Sequence, residues 1–263
     1  MPELPEVEAV CRKLRRDVCG AWIRRARLLR AAEPGLARKL RNRRIVDVER
    51  RGKNVLIRLG RDKVLRVHLK MTGNLYVRPD GAGLPGTARA WFELDGGRVL
   101  VFDDPRALGR IELLSRAELE ALSASLGPEP LSAEFTPAYL AQAARRSRQA
   151  IKLFLLDQSK VAGLGNIYAA EALHRAGIHP ARPADRLGAG RLKRLHAAIV
   201  AVLELAVQSA CNAYRGPGRY ESTETFPVAV YGRQGLPCPV CRRPIRRIVQ
   251  SGRSTYYCPG CQR

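Results

Sequence analysis

Two C-x2-C knuckles, Cys238-Pro239-Val240-Cys241 and Cys258-Pro259-Gly260-Cys261, constrain this chain more than any other feature, and sixteen residues separate them. Each knuckle bends back so that both thiolates reach one ion, and two knuckles complete a tetrahedral S4 site. The last thirty residues have almost no apolar core, so a bound metal supplies the folding energy of that module. Four protein ligands leave no open position for water, and the expected cofactor is one structural Zn2+. Redox-active C-x2-C pairs are the competing reading. Cys11, Cys19 and Cys211 lie outside the pattern and read as small core hydrophobes.

Charge decides the class of partner. The 263 residues carry 47 Lys and Arg against 24 Asp and Glu, a net charge of +23. Such a surplus disfavours an enzyme acting on small cations and favours a polyanion, either nucleic acid or an acidic membrane face. The most apolar stretch, 197–207, falls short of the roughly 20 residues a bilayer span needs and carries Glu204. Met1-Pro2-Glu3-Leu4-Pro5-Glu6 has two acids and no apolar run, unlike a signal peptide. The chain is therefore expected in the cytosol, where cysteines serve metal or thiol chemistry, with nucleic acid as the leading partner.

Hydrophobic residues make up 46% of the sequence, enough for a core, and their period changes along the chain. A helix is expected after Pro5, with Val7, Val10, Cys11 and Leu14 on one face. From Ile45 to about Leu114 the pattern is strand-like: Leu65, Val67 and Leu69 alternate with Arg66, His68 and Lys70. Trp91 to Phe102 reads as a hairpin turned by Asp95-Gly96-Gly97. Gly127-Pro128-Glu129-Pro130 breaks regular structure and reads as an interdomain link. Helices follow over Arg148–Asp157, Ile167–Ala176 and Leu192–Ala210, with Thr136-Pro137 starting an earlier one and Gly177 stopping another. The expected class is α+β multidomain: residues 1–126 β-rich, a linker at 127–131, 132–230 helical, and 231–263 the cysteine module. Between the knuckles, Arg242, Arg243, Arg246, Arg247 and Arg253 fall on an expected β-hairpin that reaches phosphates or bases.

The N-terminus reads as a chemical device. Met1 before Pro2 is a context for initiator removal, which frees a secondary amine. An α-amino group titrates near 7.7–8.0, and the positive end of the following helix lowers it further. A neutral secondary amine attacks a sugar C1′ or a carbonyl and forms a cationic iminium, an electron sink suited to elimination. Glu3 and Glu6 flank it as proton donor and shuttle. On spacing alone, a merely structural start is the competing reading.

These residues carry a resemblance. Met1-Pro2-Glu3-Leu4-Pro5-Glu6-Val7-Glu8 resembles the N-terminal signature of the formamidopyrimidine-DNA glycosylase and endonuclease VIII family, leaning to the formamidopyrimidine branch at Leu4 and Val7. Arg51-Gly52-Lys53 resembles the family's lysine loop, His68-Leu69-Lys70-Met71-Thr72-Gly73 its methionine loop, and Asp104-Pro105-Arg106 its arginine loop. Gly163-Leu164-Gly165-Asn166-Ile167-Tyr168-Ala169 resembles the turn of its helix–two-turn–helix motif, and the four cysteines its zinc finger.

The resemblance implies an N-terminal helix with a β-sandwich, a helix–two-turn–helix domain and a zinc-finger β-hairpin. It implies a monomeric, bifunctional base-excision repair enzyme acting on double-stranded DNA at the bacterial nucleoid. Pro2 attacks C1′ of a damaged nucleotide flipped out of the duplex. Glu3 assists sugar opening, Lys53 lies near the damaged nucleotide and its phosphate, and β,δ-elimination cuts the strand. Met71 and Arg106 fill the vacated space, Asn166 caps its helix and presents N–H groups to a phosphate, and Arg253 grips phosphates beside the lesion.

The sequence departs from the family at Leu108, in place of a wedge phenylalanine, at Ala107, in place of a second arginine, and at Arg89, where many relatives have histidine. Arg89 keeps the means for a phosphate contact. The segment 212–226 occupies the lesion-capping position without matching it residue by residue. The expected substrates are 8-oxoguanine and formamidopyrimidines. Competing readings are a shifted range of oxidised pyrimidines or hydantoins, and a non-catalytic damaged-DNA-binding protein.

Overall fold

The structure, a computed structural model, describes residues 2–29, 34–60, 62–214 and 226–263. The chain divides into two compact units, Met1–Ser125 with Val207–Thr225, and Leu126–Ala206 with Phe226–Arg263.

The first unit opens with helix α1 (Leu4–Val18), with Pro5 in its first turn. At its N-cap the Glu3 N–H donates to Glu6 Oε2 at 2.7 Å, half of a capping box. Leu4, Val7, Val10, Cys11, Leu14 and Val18 form its buried face, each burial stabilising by about 1.5–3 kcal/mol for the larger side chains. Eight strands follow: β1 (Trp22–Leu28), β2 (Arg43–Arg51), β3 (Asn54–Leu59), β4 (Lys63–His68), β5 (Asn74–Pro79), β6 (Ala88–Leu94), β7 (Arg98–Asp103) and β8 (Arg110–Ser115). They form an antiparallel sheet in the order β5-β7-β6-β1-β2-β3-β4-β8. The β1–β2 ladder joining its two halves has only the pairs Trp22–Arg44 and Ile23–Arg43. Both halves contribute to one core with α1, through Ile57, Leu65 and Val67 from one and Phe92, Leu100 and Phe102 from the other. Two short helices, α2 (Leu36–Leu40) and α3 (Arg116–Ala124), complete the unit.

Strand β1 goes beyond the expected β region. Arg24, Arg25 and Arg27 interrupt any apolar alternation, yet the strand pairs with β6 and β2 in mid-sheet and buries Ile23. The expected hairpin is present as β6 and β7, with Gly96 (φ 70°) and Gly97 (φ 64°) in the left-handed region that its turn needs.

The second unit holds α4 (Pro137–Arg145), α5 (Ile151–Leu156), α6 (Asn166–Ala176), a 3-10 turn at Ala184–Arg186 and most of α7 (Ala189–Ala213). Thr136 caps α4, its Oγ1 accepting from Tyr139 N–H at 3.0 Å. Gly177 ends α6 at φ 70°. Helix α5 starts three residues later than the sequence pattern implies, because Ala150 is held in an antiparallel bridge with Pro183. By length and composition α7 is sufficient to cross a bilayer, longer than the apolar stretch marked in the sequence. Its Leu192, Leu195, Ile199 and Leu203 are instead buried within the protein, as in the core helix of a globular unit. Strands β9 (Arg246–Gln250) and β10 (Arg253–Tyr257) form the expected hairpin between the knuckles. Ser251 (φ 46°) and Gly252 (φ 73°) make its two-residue turn, both in the left-handed region that a type I′ turn requires.

Candidate functional site

In the first unit a train of contacts runs from the start of α1 to two surface loops. Pro2 is half-buried directly ahead of Glu3, whose residue is 1% exposed at the helix N-cap. One turn on, Glu8 bonds Arg50 of β2 at 2.8 Å and Arg12 at 2.7 Å. Burial opposes charge on Glu8, but the two guanidinium groups hold it below the usual carboxylate range. The pair fixes the helix against the strand that ends at the lysine loop. There Gly52 (φ 57°) makes the turn and half-buried Lys53 sits beside β4, its charge acting on His68. Burial lowers His68 most, Lys70, Arg66 and Lys53 add to it, and its pKa falls to about 4. The neutral ring accepts the Lys70 N–H at Nδ1, 3.0 Å away, and so shapes the start of the methionine loop.

The methionine and arginine loops are tied to each other. Met71 and Leu108 are exposed apolar tips, 43% and 44% accessible, and Arg106 is exposed beside Leu108. Beneath them Asp104, fully buried, accepts the Thr72 hydroxyl at Oδ1 and the Gly109 N–H at Oδ2, 2.7 Å away. Arg89, on β6, donates from Nε to the Asp104 carbonyl at 2.9 Å and from Nη2 to the Pro105 carbonyl at 3.4 Å. Expected only as a phosphate contact, its guanidinium also supports the loop backbone.

In the second unit the four thiol sulfurs of Cys238, Cys241, Cys258 and Cys261 lie within 4.8 Å of one another. A tetrahedral zinc with Zn–S bonds of about 2.3 Å needs edges near 3.8 Å, so the cluster fits that ion. Cys238 and Cys261 are 3.8 Å apart, Cys241 and Cys258 3.2 Å. The Arg243 backbone N–H and the Cys258 thiol lower the Cys241 thiol to about 7, towards the thiolate that metal binding requires. Gly260 is obligatory: a Cβ there stands 2.9 Å from Cys241 Sγ and 2.8 Å from Arg243 Cδ.

The knuckles are braced from α6, where His174 Nε2 lies 3.4 Å from Cys238 Sγ. Gln262 joins them to the end of that helix, accepting from Cys258 N–H at 2.8 Å and donating to the Ile178 carbonyl at 2.9 Å. Arg253 is exposed at the hairpin tip.

Asn166, expected to cap α6, is its first residue, and Gly165 takes the cap position. Its side-chain amide instead donates to the Ser254 carbonyl, 3.0 Å away, beside Arg253. Fully buried Lys152 meets the same carbonyl at 3.1 Å and also bonds the Thr255 hydroxyl. Lys152 and Glu171 escaped the sequence reading. The one signal for Lys152 is a lysine inside the apolar run Ile151–Leu156. Glu171, also buried, accepts N–H bonds from Ala229, Val230 and Tyr231 at 2.7, 3.0 and 2.8 Å. Of the expected capping segment, residues 215–225 lie outside the described residues.

Pro2 just ahead of a helix packed on an antiparallel sheet, a helix–two-turn–helix turn and a four-cysteine finger together match a DNA glycosylase of base-excision repair. Family models match along the chain: the formamidopyrimidine-DNA glycosylase N-terminal domain at residues 1–111, its H2TH domain at 126–215, and the zinc finger found in FPG and IleRS at 235–263. The chain belongs to the formamidopyrimidine-DNA glycosylase family. It is 45% identical to the formamidopyrimidine-DNA glycosylase of Chloroflexus aggregans over 273 residues, covering 100% of this chain and 98% of that relative. The enzyme of that name from Symbiobacterium thermophilum is 42% identical, with 100% and 89% covered. Among solved structures, the Lactococcus lactis Fpg in complex with DNA containing an abasic site superposes with a TM-score of 0.88 at 31% identity, covering 99% of both chains. The MutM (Fpg) protein of Thermus thermophilus gives 0.85 at 39%, covering 99% of this chain and 98% of that one.

Proposed function

We propose that this chain removes oxidised purines, 8-oxoguanine and formamidopyrimidines, from double-stranded DNA and cuts the strand at the resulting site. The observation that carries the mechanism is the placement of Pro2 immediately before a nearly inaccessible Glu3 at the N-cap of α1. With Met1 removed, the Pro2 nitrogen sits at the positive end of a helix, which favours its neutral, nucleophilic form.

The lone pair of that nitrogen forms a bond to C1′ of the extruded nucleotide. The C1′–base bond breaks with its electron pair on the departing base, which takes up the proton that the Pro2 nitrogen loses on bonding to C1′. Glu3 donates a proton to the ring oxygen as the sugar opens, leaving a C1′ iminium on Pro2. Loss of the C2′ proton expels the 3′ phosphate, and loss of the C4′ proton expels the 5′ phosphate. Glu6 accepts the Glu3 N–H and so fixes the residue that carries the proton. Lys53 holds the phosphate beside the damaged nucleotide. Met71, Arg106 and Leu108 enter the stack, with the arginine facing the orphaned base. Asn166 and Arg253 bind the backbone.

Bound at Cys238, Cys241, Cys258 and Cys261, zinc supplies folding energy to the finger and takes no part in the chemistry. The enzyme acts as a monomer in the bacterial cytoplasm, at the nucleoid. A nicking assay on a duplex with 8-oxoguanine opposite cytosine tests this reading. Pro2→Gly and Glu3→Gln are expected to abolish cutting while retaining affinity for the duplex. Cutting by either variant at the wild-type rate overturns it.

A further inference from the structure

Asp104, braced by Arg89 at its carbonyl, is the meeting point of two loops that the sequence keeps more than thirty residues apart. The Asp104 side chain takes one bond from each loop, Thr72 on one oxygen and Gly109 on the other. Its backbone is equally committed: the N–H donates to Thr87 O at 3.0 Å, and the carbonyl accepts from Ala107 N–H at 3.0 Å and Arg89 Nε at 2.9 Å.

Both loops are also sterically closed. A Cβ on Gly109 stands 2.3 Å from Phe102 Cζ and 3.2 Å from Asp104 Oδ2, and one on Gly73 stands 2.4 Å from the Leu69 carbonyl oxygen. Ala107 is held at φ 51°, a conformation a non-glycine residue keeps only where its surroundings over-determine it. The ordered base carries exposed side chains, Met71, Arg106 and Leu108.

We propose that Asp104 and Arg89 are positioning residues that lock the Met71 loop to the Arg106–Leu108 loop, so that the wedge enters the duplex as one preset body. The inference rests on the glycosylase reading. Wedging a paired base from the stack requires all tips in register at once, and a shared buried carboxylate supplies that register without ordering cost at the moment of entry. Neither residue touches the reacting sugar. Arg89 here acts on loop carbonyls, a duty distinct from a phosphate contact.

The test compares a step that needs the wedge with one that does not. Thr72→Val removes the hydroxyl but keeps the shape; Thr72→Ser restores the donor. Single-turnover excision of 8-oxoguanine opposite cytosine is expected to slow about tenfold in Thr72→Val and in Arg89→Met, and to recover within twofold in Thr72→Ser. Borohydride trapping of Thr72→Val on a single-stranded abasic oligonucleotide, which has no pair to open, is expected to stay within twofold of wild type.

For Arg89→Met, the slope of log affinity against log salt is expected to be unchanged, whereas loss of a phosphate contact lowers it by about 0.9. A binding readout without chemistry completes the set: 2-aminopurine placed opposite a tetrahydrofuran site brightens on wild-type binding and brightens less with Thr72→Val. Equal slowing on both substrates, failure of serine to rescue, a salt slope reduced by about one, or full 2-aminopurine brightening with Thr72→Val overturns the proposal. A wild-type protein inactive on both substrates overturns the glycosylase reading instead, and the 2-aminopurine comparison still decides the role of the two loops.

Discussion

Lys152 Nζ, on α5, donates to the carbonyl oxygen of Ser254, on β10, at 3.1 Å, and the Asn166 amide meets the same oxygen at 3.0 Å. One carbonyl beside Arg253 therefore binds the finger hairpin both to the helix–two-turn–helix turn and to a fully buried lysine. Lys152→Met keeps the volume and leaves the Thr255 hydroxyl without this donor, at a cost of about 1–3 kcal/mol. Affinity for a duplex carrying a tetrahydrofuran site is expected to fall about tenfold with the melting temperature lowered. Fluorescence anisotropy and thermal denaturation read both, and unchanged affinity contradicts the clamp.

Glu171 anchors the start of the last segment by accepting three consecutive N–H groups, from Ala229 to Tyr231. Glu171→Ala strips all three donors of their acceptor, one of them buried and two part-buried. At roughly 1–3 kcal/mol for each group left unmet, a loss near 3 kcal/mol is expected in urea unfolding. A loss below about 1 kcal/mol contradicts the anchoring role.

The four thiols specify one zinc per chain. Because the ion's binding free energy is the finger's folding free energy, chelation or Cys258→Ala is expected to weaken duplex binding at least a hundredfold. The sheet of the first unit has its own core and is expected to keep its far-UV signal. Metal analysis and a binding titration read the outcome, and strong binding by metal-free protein contradicts it.

His68 gives a pH signature. Its ordinary value of 6.5 falls to about 4 in the fold. Between those values the unfolded chain binds the proton and the native protein does not. Stability is thus present above about 6.5, declines as pH falls towards 4 and levels off below. His68→Gln removes this contribution, so the variant's melting temperature is expected to drop less steeply between pH 6.5 and 4. Identical slopes contradict the buried, neutral assignment.

What the sequence made legible follows from the range of the interactions. The zinc knuckles, the capped helix α1 and the β6–β7 turn are short-range features, written in spacing and in glycines with positive φ. Strand β1 was hidden by its three arginines, since its place in mid-sheet comes from β2 and β6 rather than from its own pattern. Asn166 carries a capping side chain, but Ser254, 88 residues away, claims it. Lys152 finds Thr255 across 103 residues, and Glu171 finds Ala229 across 58. Asp104 and Thr72 are separated by 32. No local pattern announces such partners. The tail of α7 is a further case: Ala210 and the following Tyr214 join the core of the first unit, with Tyr214 Oη bonding the Leu75 carbonyl at 3.3 Å.

In the proposed mechanism the Pro2 amine is the nucleophile. Borohydride reduction during turnover on duplexes carrying 8-oxoguanine opposite cytosine, or a bare abasic site, converts an iminium into a permanent protein–DNA adduct that peptide mapping locates. An adduct at Pro2 is expected with both duplexes, absent in Pro2→Gly. An adduct on a lysine, or none from protein confirmed to begin at Pro2, contradicts it.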